Sequence, residues 1–388
     1  MSLFSDLMRP YPGEDEISFA KRKAYFIRFS GACLSYGKRY IENKQNKRVP
    51  LSSLEKAEID AFWSRYMTPK QRDLLIDYRF YEAYKSVLRE NEHLCEYIPD
   101  TFYSAFIDDY YENPQHSKSS DDKNLYDLYF HDINRPKTIF RKIYDLFLDE
   151  SYKEISLETA IAMAREQGEV ILKICRFSGS GRGIQFWNAS TDDESIIRDF
   201  LQTPKDKDIV CQAIIKQHKE LARINATSVN TIRIMTLLLH GKVHVLSSIM
   251  RMGVNGSRVD NCYSGGVFSG IRPNGQLKEV AYDENANLYM THPQGIAFES
   301  VMVPNYNECL NISISLARRF CGVSRLISWD FAIGEDAQPI LIEFNLAYGG
   351  LDVHQLPNGP IFGDLTEEVL DDVFENAYTL NSILKSMQ

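Results

Sequence analysis

Two runs near the C-terminus carry the residue types best suited to holding a divalent cation. The first is Leu326-Ile327-Ser328-Trp329-Asp330-Phe331-Ala332-Ile333 and the second is Leu341-Ile342-Glu343-Phe344-Asn345, with Gly334, Glu335 and Asp336 marking a turn between them. Side chains alternate along a strand, so Glu343 and Asn345 share a face. A hairpin with a four-residue loop is expected to set Asp330 opposite Glu343 on that face. Two carboxylates so close repel each other unless a cation lies between them. Two carboxylates and an amide carbonyl form an all-oxygen set, the kind Mg2+ takes when it also holds phosphates. Asp330, Glu343 and Asn345 are therefore the candidate metal ligands.

Other charged residues stand in apolar surroundings. Lys173 lies inside the apolar run Val170-Ile171-Leu172-Lys173-Ile174, where an ammonium costs stability unless it reaches a partner or a site. Ser178-Gly179-Ser180-Gly181-Arg182-Gly183 follows. Its alternate glycines suit a flap whose backbone amides approach an anion, or a plain glycine hairpin beside a snorkelling lysine. The Walker and GxGxxG patterns are both absent, so neither a P-loop nor a dinucleotide fold is expected. Arg233 and Arg251 sit in consecutive apolar strands, suited to clamping phosphate or carboxylate, or to a strand-end ion pair with a surface carboxylate. Asp260-Asn261 with Gly265-Gly266 is either an acceptor-contacting loop or a simple turn. His292-Pro293 is a lone loop histidine, which is seldom an acid/base group. No zinc motif and no GxSxG elbow is present.

The elements around these residues read as α+β. Capping-box patterns at Ser52/Glu55 and Thr68/Gln71, the second with Pro69 next, predict helices in the first third. The polar stretch 112–120 is expected to be a loop, and a boundary is expected near residue 150. Ser156 is predicted to cap a helix that stops at Gly168, and Thr191 with Glu194 to cap the next. Strands are expected at 170–175, 184–187, 209–215, 230–239 and 242–252. A turn at Pro273-Asn274-Gly275 closes another hairpin. A helix is predicted from about Asn307 to Gly322, and a last one from a capping box at Asp364 and Glu367. This divides the chain into a mainly helical region 1–150, a smaller unit with the glycine loop over 151–225, and a larger unit with the metal ligands over 226–388.

Composition limits the function. The 388 residues are 44% hydrophobic and 12% aromatic, enough for packed cores rather than disorder. A formal net charge of −9 argues against general nucleic-acid binding. Seven scattered cysteines without a CxxC pair read as free thiols in a reducing cytoplasm. No run is apolar enough to cross a bilayer, and the N-terminus does not read as a signal peptide. A basic stretch, Lys21 to Arg48, is interleaved with Tyr25, Phe26 and Phe29. It reads as a helix touching a membrane or anionic substrate, or as a solvated helix face.

The order Asp122-Lys123, Val170–Lys173, Ser178–Gly183, Val210–Ile214, Arg251, Asp330 and Glu343-Phe344-Asn345 resembles the ATP-grasp superfamily. Ser228–Ile234, Val259-Asp260-Asn261, Gly265-Gly266 and His292-Pro293 are similar to motifs of its sugar-transfer-associated branch. The resemblance runs over roughly residues 95–370. It implies an ATP site between two α+β subdomains with antiparallel sheets. By that likeness Lys123 and Lys173 hold the α- and β-phosphates and residues 178–183 close over them. Gln212, Ala213 and Ile214 form the hinge that reads adenine, with Gln212 where many members carry an acidic residue. Asp330, Glu343 and Asn345 carry Mg2+, and Arg251 stabilises a phosphorylated intermediate.

The implied reaction is an ATP-dependent carboxylate–amine ligation on a small sugar-linked or amino-acid substrate of surface polysaccharide synthesis. A kinase acting on a hydroxyl, or a non-enzymatic nucleotide sensor, shares the same nucleotide residues. Membrane contact is expected only through the basic N-terminal helix.

Overall fold

The computed structural model describes residues 47–176, 183–202, 207–347 and 349–386, with residues 10, 13–20, 23–24, 27 and 30–31 before them. Most of the basic N-terminal stretch lies outside the described residues; of its later part, Arg48 donates to Glu82 at 3.2 Å.

Helices α1 (Ser53–Trp63), α2 (Pro69–Leu75) and α3 (Tyr78–Lys85) follow the start signals in the sequence. Ser52 Oγ accepts from Glu55 N at 3.2 Å, and Glu55 accepts in return from Ser52 N at 2.7 Å. Thr68 and Gln71 form the same reciprocal pair ahead of Pro69. The stretch expected to be a loop forms a short helix instead, α4 (Pro114–Ser120). Proline pre-sets the first helical position, and the serine hydroxyls that favour loops turn inward, Ser119 and Ser120 both donating to His116 O.

Strands β1 (Thr138–Ile143), β2 (Leu146–Asp149), β3 (Glu154–Ile155), β4 (Glu169–Ile174), β5 (Ile184–Asn188) and β6 (Ile209–Ala213) form an antiparallel sheet in the order β3-β2-β1-β6-β4-β5. Two of them fall inside the stretch expected to be helical, because Thr138-Ile139-Phe140 carries β-favouring residues whose partner, β6, is remote in sequence. Helices α5 (Leu157–Gln167) and α6 (Glu194–Leu201) cover the sheet, burying Ile161, Ala164, Ile197 and Leu201 against Val170, Leu172 and Cys211. The expected Thr191 cap is displaced: Asp193 caps α6 through Ser195 N at 2.8 Å, while Trp187 Nε1 donates to Asp193 O at 3.1 Å. The indole thus anchors the cap two residues later.

The second sheet contains β7 (Thr231–Leu239), β8 (Lys242–Met252), β9 (Val267–Ile271), β10 (Leu277–Tyr282), β11 (Leu288–Tyr289), β12 (Leu326–Ile333) and β13 (Pro339–Asn345). It is antiparallel in the order β11-β10-β9-β8-β7-β12-β13. One face packs Ile232, Ile234, Met250, Trp329 and Phe331 against α7 (Tyr306–Arg319). On the other face Met235, Leu237 and Ile249 join the aromatic N-terminal helices and α8 (Leu351–Asn358), α9 (Thr366–Asn376) and α10 (Tyr378–Ser386). The capping box expected at Asp364 does not form. That residue lies in a 3-10 turn, and Thr366 opens α9 with its hydroxyl on Gly363 O at 2.7 Å. The last helix is α10.

Phe344, between two site residues, stacks on Trp329 at 5.9 Å and meets Tyr126, Phe130 and Phe320 at 5.2–5.3 Å. Phe344→Ala is expected to cost about 3–5 kcal/mol in urea unfolding. An unchanged midpoint would show that this ring cluster does not hold β13 in place.

Candidate active site

The β12–β13 hairpin sets the geometry. Its loop is residues 334–338, longer than expected, and the pairing Phe331↔Leu341 shifts to Asp330↔Glu343 across a bulge. Strict alternation would put Leu341 and Glu343 on one face. The extra residue, Ile342, lets Leu341 bury itself among the α7-side core while Glu343 and Asn345 turn to the opposite face. Asp330 and Ser328, opposite Glu343 and Asn345, share that face.

Asp330, only 2% exposed, is the centre of a charged network. Arg233 donates from Nε to Oδ1 and from Nη2 to Oδ2, both at 2.7 Å. Arg251 Nη2 reaches Oδ2 at 3.2 Å and Asn345 Nδ2 at 3.4 Å. Burial opposes ionisation of Asp330, but Arg233 and then Arg251 outweigh it and hold the pKa at about 2. The two-pronged clamp foreseen for Arg233 is present, and the carboxylate it grips is the buried Asp330, not a surface group.

Glu343 accepts from Lys123 Nζ at 2.9 Å. Lys123 opens a helical turn, Lys123–Leu125, whose start is fixed by Asp122 capping Asn124 N at 3.0 Å. The backbone N–H of Lys123 donates to Cys175 O at the end of β4, at 3.3 Å. The ion pair therefore joins the margin of the first sheet to β13 of the second. The ammonium of Lys173, on β4, has no hydrogen bond or ion pair among the described residues. Burial lowers its pKa to about 8, with attraction from Glu343 opposed by Lys123 and Arg135.

Gln212 and Ala213 end β6, between β1 and β4, and Ile214 follows directly. The chain then crosses to the second sheet: Glu335 N donates to Lys216 O at 3.1 Å and His218 N to Ile333 O at 2.8 Å. Asn230 Nδ2 fastens this crossing to β7 through Gln217 Oε1 at 2.9 Å and Leu221 O at 2.8 Å. Ser178, Gly179, Ser180, Gly181 and Arg182 lie outside the described residues. Gly183 has φ +72°, and its carbonyl accepts from Ile174 N at 2.9 Å. A Cβ there would sit 2.8 Å from Ile174 Cδ1, so only glycine fits. His292 is buried and its Nε2 lies 3.1 Å from Gly253 O, a structural role.

The donor set suits a divalent ion that takes part of its shell from phosphate. Asn345 spends its NH2 on Ser328 O and Asp330, which leaves its carbonyl oxygen available. Glu343 engages Oε1 with Lys123. No three His, Cys, Asp or Glu side chains gather among the described residues, so an ion here would rest on two carboxylates and one amide.

Residues 102–370 match the model of the family described as sugar-transfer associated ATP-grasp. The chain belongs to that family. The matched stretch takes in Lys123, both sheets and α8. Among solved structures, this ATP-grasp chain is similar to D-alanyl-alanine synthetase A from Vibrio cholerae O1 biovar eltor str. N16961. The identity is 14% over 71% of this chain and 66% of that one, with a TM-score of 0.41. It is also similar to D-alanine–D-alanine ligase from Bacillus anthracis, with 17% identity, 69% of each chain and a TM-score of 0.36. A third is the ATP-grasp ligase PsnB, complexed with a phosphomimetic variant of a minimal precursor, Mg and ADP. There the identity is 11% over 68% of this chain and 61% of that one, with a TM-score of 0.39. The ATP-grasp chain thus spans 61–69% of the length of these structures. No curated protein matches.

Sequence reasoning did not find everything at this ATP-grasp site. Gly349 O accepts from Arg233 Nη1 at 3.2 Å, and a Cβ on Gly349 would lie 2.5 Å from Ser328 Oγ. His354, on α8, is wholly buried with Nδ1 2.8 Å from Ser247 Oγ. The Gly349-Gly350 pair was the one available signal, a close backbone approach just past the metal-ligand run. His354 offered none, because its setting depends on β8.

Removing the unpaired ammonium of Lys173 should stabilise the ligand-free protein. Its penalty is full below about pH 8 and fades as pH rises toward the ordinary lysine value of 10.5. Lys173→Met is therefore expected to raise the urea midpoint at pH 7, by a margin that narrows between pH 8 and 10.5. A less stable variant, or a margin independent of pH, would show that the ammonium is satisfied.

Proposed function

We propose that the chain is an ATP- and Mg2+-dependent carboxylate–amine ligase working through an acylphosphate. One observation carries this reading: Lys123, from the margin of the first sheet, meets Glu343 of the Asp330–Glu343–Asn345 face at 2.9 Å, with the unpaired Lys173 acting on the same carboxylate. On this reading the small subdomain is the sheet of residues 138–213, and the large one is built on the second sheet. Family membership supports the nucleotide.

Asp330, Glu343 and Asn345 would hold Mg2+, which when bound neutralises charge on the triphosphate. Lys123 and Lys173 bind the α- and β-phosphates, Lys123 exchanging Glu343 for phosphate oxygen. By the family likeness residues 178–183 would be assigned to the phosphates and 212–214 to the adenine. Arg251 would stabilise the phosphorylated intermediate. An acceptor carboxylate oxygen attacks the γ-phosphorus, the bond to the β-phosphate oxygen breaks, and ADP leaves. An amine then attacks the acyl carbon and phosphate departs. The cations offset the repulsion between the two anions, so positioning supplies the rate and no enzyme nucleophile is required. Small sugar-linked acids and amines of cytoplasmic polysaccharide synthesis are the proposed substrates.

Glu343→Ala is expected to abolish the MgATP-induced rise in Tm without unfolding the apoprotein. A rise equal to the wild type would remove Glu343 from the metal site. Lys173→Ala should weaken MgATP binding by about 1–3 kcal/mol, measured by calorimetry. For turnover, a library of acids and amines is screened for ADP and phosphate release. Release that needs both partners and yields an amide is expected; a stable phosphorylated product from a hydroxyl acceptor alone would replace the ligase by a kinase.

A further inference from the structure

Both carboxylates of the Asp330–Glu343–Asn345 face are already held by cations of the chain itself. Arg233 grips Asp330 at both oxygens, 2.7 Å each, and Arg251 Nη2 lies 3.2 Å from Oδ2. Lys123 Nζ holds Glu343 Oε1 at 2.9 Å. Asp260, 3.4 Å from Arg251, is the third carboxylate of the network. Three carboxylates thus stand against Arg233, Arg251 and Lys123. The unpaired ammonium of Lys173 adds a fourth cation: it lies on β4, two residues before Cys175, whose carbonyl receives Lys123 N–H at 3.3 Å.

These pairs differ in how readily they part. Asp330 and Arg233 are 3% and 11% exposed, and Arg233 is braced further by Gly349 O at 3.2 Å. Two parallel bonds in a buried position hold a fixed geometry. Lys123 and Glu343 share a single bond across the two sheets, and Glu343, 27% exposed, is the most open member of the network. An ammonium on a flexible stem changes partners easily. A divalent ion arriving alone would add two positive charges where each carboxylate is matched by a cation, and it would displace Lys123 with no new anion to receive it. A triphosphate brings what Lys123 and Lys173 lack. Its oxygens can take both ammoniums, and Glu343 is then released beside the amide oxygen of Asn345 for an oxygen-coordinated ion.

We propose that the Lys123–Glu343 ion pair bars the metal face until a triphosphate arrives, so that a divalent ion enters with the nucleotide or after it, never before. This rests on the nucleotide and metal roles proposed above and not on the ligase chemistry. The test follows Mn2+ on the full chain through the electron paramagnetic resonance of the free ion. Without nucleotide, Lys123→Met is expected to bind one Mn2+ about tenfold or more tighter than the wild type, the size of one lost charge-assisted bond. Adding Glu343→Gln to that variant should cancel the gain, and Lys123→Arg, which keeps the cation, should stay at the wild-type level. In EDTA, calorimetry is expected to show metal-free ATP binding to the wild type, and about fivefold or more tighter to Glu343→Gln, which frees Lys123. The same variant should bind MgATP more weakly than the wild type. If Lys123→Met fails to fold, this reversal between metal-free ATP and MgATP decides alone. A wild type that binds Mn2+ as tightly as Lys123→Met, no ATP binding in EDTA, or weaker metal-free binding in Glu343→Gln would overturn the proposal. A chain that keeps the expected order but phosphorylates a hydroxyl would sink the ligase reading alone. One that forms an amide yet takes up Mn2+ unaided would sink the order alone.

Discussion

A carboxylate buried between two guanidiniums organises this site. Asp330 is removed from water, and Arg233 and Arg251 reach it from β7 and β8. Desolvating such charges costs several kcal/mol each, and only near-ideal geometry compensates. The arrangement therefore tolerates little displacement. It fixes where β12 lies against β7, orients the amide of Asn345, and draws Gly349 down onto Ser328. A buried ion pair is weak evidence for stability, and here its clearest consequence is positional.

Two further contacts carry this order outward. Lys123 to Glu343 joins the margin of the first sheet to the second. The N-terminal helices reach the site through α8: Gln355 and the Ile98 backbone exchange two bonds of 3.1 Å, and Arg89 and Lys278 bond the carbonyls at the helix C-terminus. Cations at that end also suit the helix dipole. The region outside the sheets is thus part of the support for His354. No helix among the described residues is long and apolar enough to cross a membrane.

Much of the plan was legible in the chain because it rests on local rules. Capping boxes at Ser52 and Thr68 fix helix starts from side chains three residues apart. Alternation located the long strands and put Glu343 and Asn345 on one face. Errors arose where a tertiary partner overrode local preference. Serines that favour loops bent inward to make α4, and β1 was hidden because its sheet partner β6 lies far along the chain. The Asp193 cap is set by an indole that local spacing cannot reveal.

From composition and short-range pattern alone came the α+β class, the free thiols, the oxygen-donor run and the family likeness, since each depends on residue type and neighbours within a few positions. The tertiary structure alone decided that Arg233 spends its fork on Asp330, that a bulge at Ile342 aims Glu343, that Asp260 meets Arg251, and that His354 meets Ser247. Those outcomes depend on strands 97 residues apart in sequence (Arg233 to Asp330) meeting at 2.7 Å, with charge and burial acting together, and no periodicity in the chain encodes them.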